Sequence, residues 1–209
     1  FDHIMGFPFF SPAYRKGYNI HVYGEDREHQ SVEAILSHLM QYPYFPVTKD
    51  DEMKARFTFH TVTPSSVIDI NGTTVSMCHL NHPGGVMSYR VECEGRSVVY
   101  ATDTEHFKGK HDPNLIYLAR DTNILIYDAM YTDEQYHGVN GLPPHEGWGH
   151  STWQEAIKIA KKAKVQLLCL FHHDIARSDD DISIIEKDAQ KHFKNTFAAR
   201  EGVWFLVNE

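Results

Sequence analysis

The chain has 209 residues, 42% hydrophobic and 23% charged, which suits one substantial globular domain or a large part of one. Its net charge of −8 argues against a protein built to grip long nucleic acid, because neutralising phosphates needs clustered Lys and Arg. No run approaches the ~18 apolar residues of a membrane span.

In chain order, the first regular segment is "SVEAILSHLMQ" (31–41). Val32, Ile35, Leu36 and Leu39 fall at helical spacing there, with Ser31 as a cap. "YPYFP" (42–46) breaks the helix. Short strand-like runs follow at 56–62, 66–70, 73–80, 86–93 and 97–102. Asn71-Gly72 between two of them is a good hairpin signal, and Glu94-Gly95 is a weaker one. The second half changes rhythm. Residues 122–130 read as a buried strand, followed by the Gly- and Pro-rich stretch 138–149. Ser151 opens a helix to about Ala163, with Ser151 and Gln154 as a capping box. Residues 165–171 form a strand and 179–197 a helix, acidic at its start and rich in lysine later. "VWFLV" (203–207) closes as a strand. Hairpins first and strand–helix units later predict sheets covered by helices. With no repeat or linker, 1–209 reads as one domain.

Cys78, Cys93 and Cys169 are odd in number and far apart, so no disulfide framework is expected. That fits a reducing compartment, the cytoplasm. Fifteen histidines raise the question of a metal. Four stretches carry the candidates: Asp2-His3, "HLNHPGG" (79–85), "YATDTEH" (100–106) and "LFHHD" (170–174). Each ends or follows a strand-like run, where loops present side chains to a cleft. Imidazole and carboxylate together suit zinc, manganese or iron.

Together these stretches resemble the metallo-β-lactamase superfamily, whose signature is H-x-H-x-D-H, then a His, an Asp and a His, each at a strand end. Asp2-His3 resembles the second half of that signature. "HPGGVMSYR" (82–90) resembles the His-to-Gly-Tyr-Arg segment, with Ser88 where Gly is usual. "YATDTEH" resembles the bridging-aspartate segment. "GHSTWQEAIKIAKKAKVQLLCLFHHD" (149–174) resembles the closing segment of the branch containing tRNase Z and cyclic phosphodiesterases. The resemblance implies an α/β (α+β) fold, a metallo-β-lactamase-like αββα sandwich. It also implies that the chain starts inside the first motif, without the two leading histidines or the first strands.

Carried over, the resemblance gives one metal to Asp2, His3 and His172, with Asp103 bridging. It gives the other to the two upstream histidines, His82 and Asp103. Two divalent ions are implied in the intact protein, zinc first, with manganese or iron as alternatives. Paired ions about 3.5–4 Å apart generate a hydroxide and clamp a phosphoryl centre. Asp2 would also accept the proton of the bridging water. His150 would assist the leaving group, as a general acid working near neutral pH. Asp128 would orient it. The expected function is therefore metal-dependent hydrolysis of a small or cyclic nucleotide-like phosphodiester. The alternatives are a thioester, lactone or lactam hydrolase on the same site, or a non-catalytic ligand-binding module. A small-molecule phosphodiester is the expected partner, with no membrane and no long nucleic acid; a homodimer is compatible with the sequence.

Other residues are assigned lesser roles. His79 lies within a strand and is expected to pack rather than ligate. Cys78 and His82 leave a strand and do not form a metal pair. His173 is expected to support the site or face substrate, and Asp174 to support it. Lys158, Lys161, Lys162 and Lys164 read as a solvated helix face.

Overall fold

The computed structural model describes residues 3–141 and 143–207, which divide into two units, 1–63 and 64–209. In the first unit, β1 (Asn19–Gly24) pairs in parallel with β2 (Arg56–Thr61). Between them lie α1 (Val32–Leu39) and the single turn α2 (Lys49–Glu52). Ser31 caps α1 by accepting the Ala34 N–H, as its sequence predicts. Ala13, Met40 and Met53 form the small core of this unit, with Phe7, Ile20 and Phe57 packed on it. The local signal of β1 is short, Ile20 and Val22 alternating with Asn19 and His21.

The second unit is built on a seven-stranded sheet with its strands in chain order. These are β3 (Val67–Ile70), β4 (Thr73–Leu80), β5 (Val86–Cys93), β6 (Arg96–Ala101), β7 (Ile124–Asp128), β8 (Leu167–Phe171) and β9 (Thr196–Ala198). The first four are antiparallel, and β6 to β9 are parallel. Both expected hairpin turns are present. Asn71 and Gly72, and likewise Glu94 and Gly95, have positive φ, which matches the twist of the flanking strands.

Among the described residues, four α-helices belong to this unit: α3 (Pro113–Leu118), α4 (Asp133–His137), α5 (Trp153–Ala163) and α6 (Asp179–His192). The core lies between one sheet face and this helical layer. Val99 and Ala101 of β6, Leu125 and Tyr127 of β7, and Leu168 and Leu170 of β8 alternate inward. They meet Ala156, Ile159, Ala160 and Ala163 of α5, spaced three or four apart. Burying each leucine contributes about 1.5–3 kcal/mol.

The strands read over 122–130 and 165–171 are shorter, Ile124–Asp128 and Leu167–Phe171, and three further boundaries differ from the sequence reading. The cap of α5 is Thr152, whose hydroxyl accepts the Glu155 N–H, rather than Ser151. Ser151 is wholly buried, and its N–H is committed to Asp128. The last helix ends at His192 because Thr196–Ala198 pairs with β8. Residues 203–207 form no strand: Trp204 and Leu206 point to solvent, and Phe205 stacks on Phe197 at 3.6 Å between ring centroids. No helix among the described residues is long and apolar enough to cross a membrane.

Candidate metal centre

Parallel β6, β7 and β8 end at one edge of the sheet, with Ala101 level with Tyr127 and Asp128 level with Phe171. Asp103, Asp128 and His172 are therefore delivered to that edge, where crevices form in open α/β sheets. The turn between antiparallel β4 and β5 reaches the same edge and carries His82. Asp103 and His172 both sit at positive φ, 55° and 57°. Left-handed backbone at non-glycine residues is costly and persists only where surroundings enforce it.

Asp128 enforces much of it. The residue is completely buried. Oδ2 accepts the Asp103 N–H at 2.9 Å and His150 Nδ1 at 3.0 Å. Oδ1 accepts the N–H groups of Ser151 and Met130, each at 3.2 Å. Four donors occupy both oxygens, so this carboxylate is a positioning group rather than a metal ligand. Because His150 Nδ1 faces a carboxylate, it carries the proton there and Nε2 is left for chemistry.

The remaining donors converge. Ligand atoms of His82, Asp103 and His150 lie within 4.8 Å of one another, as do those of Asp128, His150 and His172. His172 Nε2 is 3.3 Å from Asp103 Oδ1. Its ring stacks on His150 at 4.8 Å between centroids. His172 Nδ1 is buried without a hydrogen-bond partner among the described residues, since Asp128 Oδ2 stands off at 3.9 Å. The buried Asp103 carboxylate and the imidazoles of His82 and His172, the latter with an orphaned ring nitrogen, fit a borderline-soft divalent ion such as zinc.

The geometry thus brings together five of the residues expected from the sequence: His82, Asp103, Asp128, His150 and His172. Asp2 lies outside the described residues. His3 belongs to the first unit, in an exposed turn. Of the residues given lesser roles, His79 sits in β4 with its carbonyl accepting the Asn114 amide. The Cys78 thiol packs on the core, and burial pushes it up to about 12. Burial, then the Arg177 charge, lowers the pKa of His173. Asp174 caps a turn at the Ala176 N–H, and Lys158 pairs with Glu155.

Sequence reading missed Glu105, two residues past Asp103. Its buried carboxylate accepts the N–H groups of Gly147 and Gly149 at 2.7 and 2.9 Å. This pins the loop leading into His150. The signal was an acid at a strand end facing a glycine-rich segment, which shows only once the two are adjacent.

The hydrogen bond to Asp103 raises the His172 pKa, with burial opposing it and the Asp128 charge adding to it. A raised folded-state value means that the proton stabilises the fold fully below the ordinary 6.5. That contribution is lost as pH rises through the elevated value. For chelator-treated protein, the melting-temperature gap between wild type and His172→Gln is expected to be larger at about pH 5.5 than at about pH 8.5. Zinc affinity should run the other way, rising with pH as the same proton leaves. A gap that does not change with pH would count against the His172–Asp103 pairing.

Comparison with known proteins adds the family context. Residues 1–173 match the family model described as the beta-lactamase superfamily domain. Ribonuclease Z of Halalkalibacterium halodurans is 36% identical over 107 residues, covering 51% of this chain and 31% of that protein. Ribonuclease Z of Archaeoglobus fulgidus is 33% identical over 111 residues, again 31% of its length. The matched stretch thus spans under a third of these relatives. Among solved structures, the metallo-beta-lactamase fold protein YhfI of Bacillus subtilis aligns with a TM-score of 0.69 at 18% identity, over 97% of this chain and 72% of that one. Unliganded yeast PDE1 aligns at 0.64 and 13% identity, over 96% of this chain and 64% of that one.

Proposed function

The chain belongs to the beta-lactamase superfamily, with its α/β fold, and from that premise we propose that it is a metal-dependent hydrolase of small, nucleotide-like phosphodiesters. His82, Asp103 and His172 are the residues that would hold divalent ions. Such ions would supply Lewis acidity toward water and the phosphoryl oxygens. The chain's own part is proton handling. His150 gives a proton from Nε2 to the leaving oxygen, and Asp128 fixes its ring through the 3.0 Å contact at Nδ1.

The observation that carries this reading is the 3.0 Å pair of His150 Nδ1 and buried Asp128, set beside the converging His82, Asp103 and His172. A histidine oriented by a buried carboxylate next to a metal-capable cluster suits transfer at an ester centre. The ribonucleases Z among the relatives support phosphorus over carbon as that centre. The acidic balance favours a small ester over a long RNA. The three free cysteines support the cytoplasm as its compartment.

The test is a panel of bis(p-nitrophenyl) phosphate, cyclic nucleotides, nitrocefin, a lactone and a thioester, with Zn²⁺ or Mn²⁺ supplied. Turnover of the phosphodiesters is expected, with His150→Ala lowering kcat by about 10²–10⁴ and leaving KM nearly unchanged. Hydrolysis confined to the carbon esters or the lactam would move the site to the other chemistry. Full activity in His150→Ala would remove the proposed proton donor.

A further inference from the structure

Trp148 stands two residues before His150 with 60% of its surface exposed. A single exposed aromatic is ordinary on a protein surface. What sets this one apart is how firmly its backbone is held. The N–H groups on both sides, of Gly147 and Gly149, donate to the buried Glu105 carboxylate, which also accepts the Tyr136 hydroxyl. The Trp148 N–H itself donates to the His145 carbonyl at 3.2 Å. An indole presented to water on a backbone fixed at three successive residues loses little further freedom when something lies against it.

The ring also continues a row that begins in the site. Tyr131 lies edge-on to His150 at 6.2 Å between centroids. His145 stacks on Tyr131 at 4.4 Å, and Trp148 meets His145 edge-on at 4.9 Å. Tyr131 is buried, so the exposed end of the row is Trp148. The neighbouring Glu146 is held ionised by its hydrogen bond with His137. A negative charge there disfavours a second phosphate and suits an uncharged planar group.

We propose that the Gly147–Trp148–Gly149 segment is a stacking subsite for a planar aromatic substituent of the substrate, a nucleobase or an aryl ester group. It rests on the phosphodiester reading only for the identity of the reacting group. Stacking on an indole is tolerant of sequence and needs only a π face, so the subsite selects aromatic over aliphatic esters rather than one base over another.

Calorimetric binding to the zinc-supplemented protein tests this without turnover, with adenosine 5′-monophosphate and ribose 5-phosphate as probes. The adenine compound should bind about tenfold more tightly than ribose 5-phosphate. Trp148→Ala should abolish that advantage, and Trp148→Phe should keep about a third of it. Ribose 5-phosphate should bind all three proteins alike. Equal adenine-compound affinity in wild type and Trp148→Ala would overturn the subsite, as would parallel loss of both probes or no binding by wild type. If the binding pattern holds while no phosphodiester is hydrolysed, the subsite stands and the reaction assignment fails.

Discussion

Asp128→Ala is expected to destabilise the protein by about 3 kcal/mol or more, read from urea unfolding. The substitution leaves three backbone N–H groups and the His150 imidazole without the acceptor they share in a fully buried position. Asp128→Asn separates positioning from folding. Its side chain keeps the shape and one acceptor oxygen, but the amide cannot accept from donors on both sides. If the oxygen faces Ser151 and Met130, an NH₂ confronts the His150 Nδ1–H, and the ring must flip or change tautomer. The expected result is a smaller stability loss with kcat on phosphodiesters lowered by about 10²–10⁴. In a His150→Ala background the same Asn substitution should cost little more, because residues acting as one unit are not additive. An Asp128→Asn protein with wild-type kcat would show that the pair is structural only.

The order of the elements in the second unit was legible because each carries its own local signal. Asn71-Gly72 marks a turn whichever fold surrounds it, and the apolar alternation of 97–102 needs no partner to be read. The strand-end positions of His82, Asp103 and His172 were visible for the same reason. Their neighbours were not. Ser151 and Thr152 are adjacent hydroxyl residues, and either could cap α5 on local grounds. Asp128 decides between them by taking the Ser151 N–H, and that contact needs β7 to be in place. Glu105 looks from sequence like any acid after a strand; its role appears only when the loop 147–149 folds over it. The overrun of the last helix has a similar origin. Helical periodicity continues past His192, but the free edge of β8 recruits Thr196–Ala198, and sheet pairing wins over local propensity.

Gly149→Ala is expected to do more damage than its size suggests, and Gly147→Ala shows why. Both glycines have φ near +90°, 86° at Gly147 and 90° at Gly149, where an alanine is strained by about 1–3 kcal/mol. Around Gly147 a methyl group would meet nothing within 4 Å, so that variant carries the backbone strain alone. At Gly149 the methyl would stand 2.7 Å from His82 Nε2 and 2.8 Å from Pro83 Cδ. The His82 ring must then leave its seat, taking a ligand atom from the cluster it shares with Asp103 and His150. The two variants should lose similar stability from the backbone, yet differ in zinc affinity measured by chelator competition. The expected deficit is about 10- to 100-fold for Gly149→Ala beyond that of Gly147→Ala. Raising the zinc concentration should recover part of the lost turnover in Gly149→Ala, since the displaced group is a ligand and not the proton donor. Equal zinc affinity in the two variants would mean that the seat of His82 against this loop does not set metal binding. The close fit at Gly149 would then serve packing alone.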